Sequence, residues 1–217
     1  MKKFIMILFV MMLLISSSVF AADARYLLNS APLKPTITNF APCDNAVHRT
    51  LVQITNNSMS TYEKVKACYD YLINTCSYGN KVRNYTFVDG VLSNSSYRIT
   101  LDDFKNNIGP YNAYIMLEEH VGVCDDYSCA FAALVRAIGL NCYTIGGLTS
   151  KASGGMTPHL WTVIKINGKE YVFDPQIDDN IAKGGRIGYY RFCKTYAEVS
   201  GSYSDYSISY HHFKPFN

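Results

Sequence analysis

The chain is short of charge, of tryptophan and of metal-binding spacings, and each shortage narrows what it can do. Charged residues make up 17% of its 217 positions, 20 lysines and arginines against 17 aspartates and glutamates, for a formal net charge of +3. Loss of Lys2 and Lys3 with a leader lowers that charge to +1, so nothing calls for nucleic acid or an acidic membrane surface as a partner. The five histidines and seven cysteines form no CxxC or HxxxH spacing, and His211 and His212 are merely adjacent. That argues against a zinc site. The absence of an EF-hand loop argues against a calcium site. No metal and no cofactor are therefore expected. No internal repeat or low-complexity tract stands out. The N-terminal apolar run, Phe4 to Ile15, is short for a full membrane span.

That run follows Lys2 and Lys3 and precedes Ser16-Ser17-Ser18 and Val19-Phe20-Ala21-Ala22. A charged start, an apolar stretch and small residues make a secretory signal peptide over residues 1–21, cleaved after Ala21 or Ala22. An uncleaved anchor is the alternative. The mature protein is then expected outside the cytoplasm, secreted or extracytoplasmic, without a stable membrane anchor. The remaining length suits one domain, residues 58–217, behind an N-terminal extension over 22–57. Eighteen tyrosines against one tryptophan suit a Tyr-rich, amphipathic surface.

All seven cysteines (Cys43, Cys68, Cys76, Cys124, Cys129, Cys142 and Cys193) follow the leader. An odd number in an exported chain leaves a thiol free. If Cys124 is that thiol, the other six suffice for three disulfides. Cys68 with Cys76 is an attractive pair, because both flank the end of one predicted helix. The alternative is that some are buried as small apolar residues.

Three prolines and weak periodicity over residues 23–57 predict an extended segment or linker. Ser60 and Glu63 predict a capped helix start, and Val65, Cys68, Tyr69, Leu72 and Ile73 continue it to about Thr75. Residues 77–110 read as an irregular insertion, with short strands near Tyr85–Val88 and Tyr97–Leu101. Sequons occur at Asn56, Asn84 and Asn94. A short helix over Asn112–His120 leads to Gly122. A second carries the stripe Tyr127, Phe131, Leu134, Val135 and Ile138, and stops at Gly139. A strand over Asn141–Ile145 and a loop over Gly146–Pro158 follow. A hairpin then turns at Asn167-Gly168.

Three residues stand in the order nucleophile, base, orienter. Cys124 lies in Gly122-Val123-Cys124-Asp125-Asp126-Tyr127, at a helix start. His159 opens one hairpin strand and Asp174 closes the other. With the turn at Asn167-Gly168, Ile166 pairs with Lys169, and counting outward sets Lys165 against Glu170 and Trp161 against Asp174. His159, Trp161, Val163, Val172 and Asp174 then share a face. His159 sits diagonal to Asp174, roughly 7–8 Å away between backbones. A carboxylate accepting the imidazole N–H would stabilise the imidazolium. A helix N-terminus and a neighbouring imidazolium both favour a thiolate, and Asp125 and Asp126 oppose it.

These motifs resemble the transglutaminase-like superfamily over roughly residues 60–200. Ser60-Thr61-Tyr62-Glu63-Lys64-Val65 through Tyr71-Leu72 resembles its leading helix. Gly122-Val123-Cys124-Asp125-Asp126-Tyr127-Ser128 is similar to its nucleophile motif. His159-Leu160-Trp161-Thr162-Val163 is similar to its His motif, where the family often has Asn in place of Thr162. Tyr171-Val172-Phe173-Asp174-Pro175 resembles its Asp motif. The resemblance, to an exported bacterial type of member, implies an α+β, papain-like core, with the nucleophile helix packed on an antiparallel sheet that carries His and Asp. It implies acyl transfer through a thioester on a peptide or protein substrate, cell-wall peptide included. Water as acceptor gives a protease or amidase, and an amine gives a transglutaminase. It implies an oxyanion partner upstream of the nucleophile, for which Tyr114 is the candidate with Asn112 behind it. Trp161 is a candidate for the substrate groove.

Three other readings compete. One is an inactive module of the same fold that binds peptide or cell-wall polymer. The second is a Cys/His metal site. The third is a structural disulfide-rich domain in which Cys124 is bridged.

Overall fold

Proline shapes the start of the first long helix. The computed structural model describes residues 24–79, 86–88, 91–93, 98–100, 106–207 and 212–214. Its helix α1, Ala41–Ile54, carries Pro42 in the first turn, where a missing N–H is no loss. The extended segment expected over residues 23–57 is thus corrected for this stretch. Pro42 starts the helix instead of interrupting it, and Cys43, Ala46, Val47 and Thr50 form one buried face. The expected leader over residues 1–21 and the sequons at Asn84 and Asn94 lie outside the described residues.

Helix α2, Thr61–Thr75, begins with the expected capping box. Glu63 accepts the Ser60 N–H at 2.9 Å, and Glu63 N–H donates to Ser60 Oγ at 3.4 Å. Its buried residues are the predicted Val65, Cys68, Tyr69, Leu72 and Ile73. Strand β1, Ser77–Tyr78, follows. Within the insertion, β2 (Thr86–Val88), β3 (Val91–Ser93) and β4 (Arg98–Thr100) form an antiparallel meander, so the two expected strands gain one between them. Helix α3, Ile108–Glu119, starts four residues ahead of Asn112 and stops where His120 turns left-handed at φ 55°. Strand β5, Val121–Gly122, pairs parallel with β1.

Helix α4, Cys124–Ile138, starts at Cys124 and ends against Gly139, whose φ of 118° is the left-handed cap glycine favours. Four antiparallel strands follow: β6 (Cys142–Ser150), β7 (Met156–Ile166), β8 (Lys169–Phe173) and β9 (Tyr203–Ser207), in the order β8-β7-β6-β9. Helix α5, Pro175–Ala182, leaves the end of β8.

The hairpin register is the one counted from the turn, from Ile166↔Lys169 through Lys165↔Glu170 to Thr162↔Phe173. Asn167 and Gly168 have φ of 50° and 80°, as a type I′ turn requires. The expected loop over Gly146–Pro158 is corrected. Most of it is strand, because Gly146, Gly147 and Leu148 pair with Leu160, His159 and Pro158 across the sheet. Only residues 151–155 remain as the connection.

The Cys124 helix packs between the other helices and this sheet. Phe131 stacks on Phe173 with centroids 5.5 Å apart, and Phe131, Leu134 and Val135 are wholly buried. Each such side chain contributes about 1.5–3 kcal/mol through burial. Two polar bonds fix α4 against β7. Ser128 Oγ donates to the Leu160 carbonyl at 2.8 Å, and Thr162 Oγ1 donates to the Ser128 carbonyl at 3.2 Å.

None of the seven cysteines is joined to another in this structure, so the expected disulfides find no support in it. Cys68 and Cys76 are eight residues apart at the end of one helix, which separates them by about 12 Å along its axis. A disulfide needs Cα atoms within about 7 Å. Six of the seven are buried, and Cys124 alone is partly exposed.

Candidate active site

Cys124 is the first residue of α4, so its backbone N–H has no partner within the helix. The turn before it is held by Asp126, whose Oδ2 accepts the Val123 N–H at 2.9 Å. Val123 has no side-chain acceptor to return the bond, so this is half a capping box. Gly122 is needed for that cap. A Cβ there would stand 2.6 Å from Asp126 Cβ and 2.7 Å from Oδ2.

His159 and Asp174 meet as the register predicts, with Nε2 and Oδ2 2.7 Å apart. Asp174 is fully buried and serves two elements at once. Its Oδ1 accepts the Ile177 N–H at 3.1 Å and caps α5. Its Oδ2 also accepts the Tyr203 hydroxyl at 2.7 Å. Burial alone would lower the His159 imidazole. The Asp174 charge and hydrogen bond, helped by Cys124, overcome this and push it up to about 10. Burial would raise the Asp174 carboxyl, but the His159 charge and hydrogen bond, the Tyr203 hydroxyl and the Ile177 N–H hold it below the usual range. Both shifts favour the ionised forms, so the Asp174 carboxylate stabilises an imidazolium whenever His159 takes up a proton.

A second carboxylate lies beneath. Asp178 Oδ2 is 2.7 Å from the Tyr69 hydroxyl, which also reaches the Asp174 carbonyl at 2.9 Å. Burial pushes the Asp178 carboxyl up to about 6, and its Oδ1 has no protein partner.

Cys124 and His159 line one cleft of about 500 Å³, together with Tyr78, Gln176, Lys151 and Arg191. Gln176 is 3% exposed and its Nε2 has no protein partner. Among the described residues no group of three or more His, Cys, Asp or Glu is disposed to hold a metal ion.

The other candidates fall elsewhere. Tyr114 is buried edge-on against Phe40, with centroids 6.5 Å apart, and does not line the cleft. Asn112 is buried beside the Cys129 thiol. Tyr78 is the upstream tyrosine that borders Cys124, because the β1–β5 ladder sets it against Gly122. Trp161 is wholly buried; it stacks behind His159 with centroids 6.3 Å apart and donates to the Tyr196 hydroxyl at 3.1 Å. It backs the imidazole and cannot touch a substrate. Sequence reasoning missed Tyr203, Tyr78 and Gln176. The alternation of serine and tyrosine after Gly201 was a strand signal that would have exposed Tyr203.

Comparison with curated proteins returned no match. Two solved structures are similar. One, provisionally described as a cysteine protease from Cytophaga hutchinsonii, is 19% identical with a TM-score of 0.41, over 65% of this chain and 39% of that one. The other, described as a TGase, is 18% identical with a TM-score of 0.42, over 74% and 37% of the two chains. The chain thus spans about two fifths of the length of each. The fold is the α+β core that the resemblance implies, with the Cys124 helix packed on an antiparallel sheet. Residues 83–175, which carry Cys124, His159 and Asp174, match the profile of the transglutaminase-like superfamily.

Proposed function

We propose that this protein is a thiol enzyme that transfers acyl groups from peptide or glutamine amides through a thioester on Cys124. The observation that carries the reading is the 2.7 Å His159–Asp174 pair facing the cleft that holds Cys124. Asp174 occupies Nε2, which leaves Nδ1 of His159 for the thiol.

The chemistry runs in four steps. The Cys124 proton passes to His159 Nδ1, and the imidazolium pairs with the thiolate. The thiolate attacks the amide carbon, and the oxyanion is met by the free N–H of Cys124. His159 returns the proton to the departing amine, leaving the thioester. His159 then deprotonates water or an incoming amine, which releases acid or new amide and restores the thiol. Tyr78 and the unpaired Gln176 amide are placed to donate to the substrate. The leader over residues 1–21 belongs to the same proposal: the enzyme acts outside the cytoplasm on peptide or protein, cell-wall peptide included.

The test is alkylation by iodoacetamide near neutral pH, followed by peptide mapping. Selective labelling at Cys124, lost in His159→Ala, supports the reading and is followed by assays with peptide and glutamine donors, with and without an amine. Labelling no faster than an ordinary free thiol sinks it. N-terminal sequencing of the exported protein checks the leader.

A further inference from the structure

Cys124 has a second polar neighbour besides His159. Its Sγ lies 3.6 Å from Asp125 Oδ1, within reach of an S–H···O bond. The other oxygen of that carboxylate is 3.3 Å from His212 Nε2. The His212 side chain is 5% exposed, and the segment that bears it is tied down. The N–H groups of His212 and Phe213 both donate to Thr144 Oγ1, at 2.9 and 3.0 Å. Thr144 N–H donates to the Phe213 carbonyl at 3.1 Å. Arg136 Nη1 donates to the Lys214 carbonyl at 2.8 Å. Gly109 leaves the room for this segment, since a Cβ there would come within 2.5 Å of the His212 carbonyl oxygen. The four steps above use neither Asp125 nor His212.

We propose that Asp125, held by His212, is a second acceptor for the Cys124 proton and so controls how readily the thiol passes that proton to His159. The inference rests on Cys124 being the nucleophile. A single proton is shared between two arrangements. In one, Sγ–H is intact and donates to Asp125 Oδ1. In the other, the S–H bond is broken, an N–H bond is formed at His159 Nδ1, and the thiolate faces the imidazolium. The second arrangement sets a thiolate beside the Asp125 carboxylate. His212, on the other carboxylate oxygen, offsets that repulsion.

The groups facing Asp125 are His212 from the C-terminal segment, His159 from β7, Tyr78 from β1, and Cys124 and Cys129 on its own helix. Burial would raise the Asp125 carboxyl. The His212 hydrogen bond and charge, with Cys124 and His159, hold it below the usual range. Asp125 is therefore a carboxylate wherever the enzyme would work.

The experiment is the rate of Cys124 alkylation from pH 5 to 9 in the full chain, in Asp125→Asn and in His212→Gln, with near-UV circular dichroism as the folding control. Asp125→Asn removes the charge and keeps the shape. It is expected to speed alkylation at pH 5–6 by about tenfold, because the site is partly exposed and the charge effect is discounted accordingly. His212→Gln leaves the charge unopposed and is expected to slow it by about threefold to tenfold. Opposite shifts on an intact fold support the proposal. Profiles that coincide with the parent, or move the same way in both variants, overturn it. If His212→Gln does not fold, Asp125→Asn decides alone, since the Thr144 anchors are untouched. A parent chain without selective labelling at Cys124 fails the enzyme reading itself, which is a different result.

Discussion

The Tyr203 hydroxyl donates to Asp174 Oδ2 at 2.7 Å, on the oxygen that also faces His159 Nε2. A strand outside the three motifs thus supplies part of what keeps a fully buried carboxylate charged. Tyr203→Phe keeps the ring, which lies 4.7 Å from Trp161 between centroids, and deletes the bond. It is expected to lose about 1.5–3 kcal/mol of stability and to slow acyl transfer severalfold, read by denaturant titration and by kcat.

Asp174→Asn should be far more damaging to activity. The neutral amide gives no charge to hold the imidazolium, so acyl transfer is expected to fall by about 100-fold or more. The α5 cap survives in part, because the amide oxygen still accepts the Ile177 N–H. A variant that kept parental kcat would show that His159 needs no orienter.

Stability should depend on pH through the same pair. The folded-state value of His159 is raised from 6.5 to about 10. The stability it adds is fully present below pH 6.5 and is lost as pH rises through 10. Asp174 is lowered below 3.8, so its share is present above that pH and is lost as pH falls further. Urea titrations from pH 5 to 10 should show the parent losing stability relative to His159→Gln. Parallel curves would mean that the two groups are not shifted as described.

Gly122→Ala tests the turn that leads into Cys124. The added Cβ would meet Asp126 at 2.6 Å, so the cap on Val123 must open or the helix start must shift. A loss of about 1–3 kcal/mol is expected, together with slower Cys124 alkylation. An unchanged labelling rate would show that the thiol's placement does not depend on this turn.

Thiol counting separates this structure from a disulfide-bonded one. Unreduced protein should titrate seven thiols when unfolded and one, Cys124, when native. Burial pushes the Cys43 and Cys76 thiols up to about 12 and raises Cys68, Cys129 and Cys142 further still. Fewer than seven in the unfolded chain would place bridges where the structure has none.

What was legible in the sequence was local or periodic. The turn at Asn167-Gly168 fixed the β7–β8 register by counting, and that register brought His159 to Asp174. Ser60 with Glu63 and the apolar stripe after Cys124 gave helix starts from a few residues each. Pairings across long separations left no such trace. Tyr78 reaches Gly122 through a two-residue parallel ladder, and Tyr203 reaches Asp174 through a strand 29 residues away. Gly146 and Gly147 looked like loop residues because β-propensity disfavours glycine, yet neighbouring strands hold them in the sheet. The cysteine pairing was not legible, because spacing alone cannot tell a bridge from a buried small side chain.

Asp174 is at once the cap of α5 and the partner of His159. A helix of eight residues has little intrinsic stability and depends on its first turn. Were that turn to fray, the Asp174 carboxylate would lose one of its three partners, the Ile177 N–H. The stability of this short helix and the placing of His159 are linked through one side chain. Whatever docks on α5, or pulls it away from the sheet, would bear on the His159–Asp174 pair and on the cleft wall that Gln176 supplies.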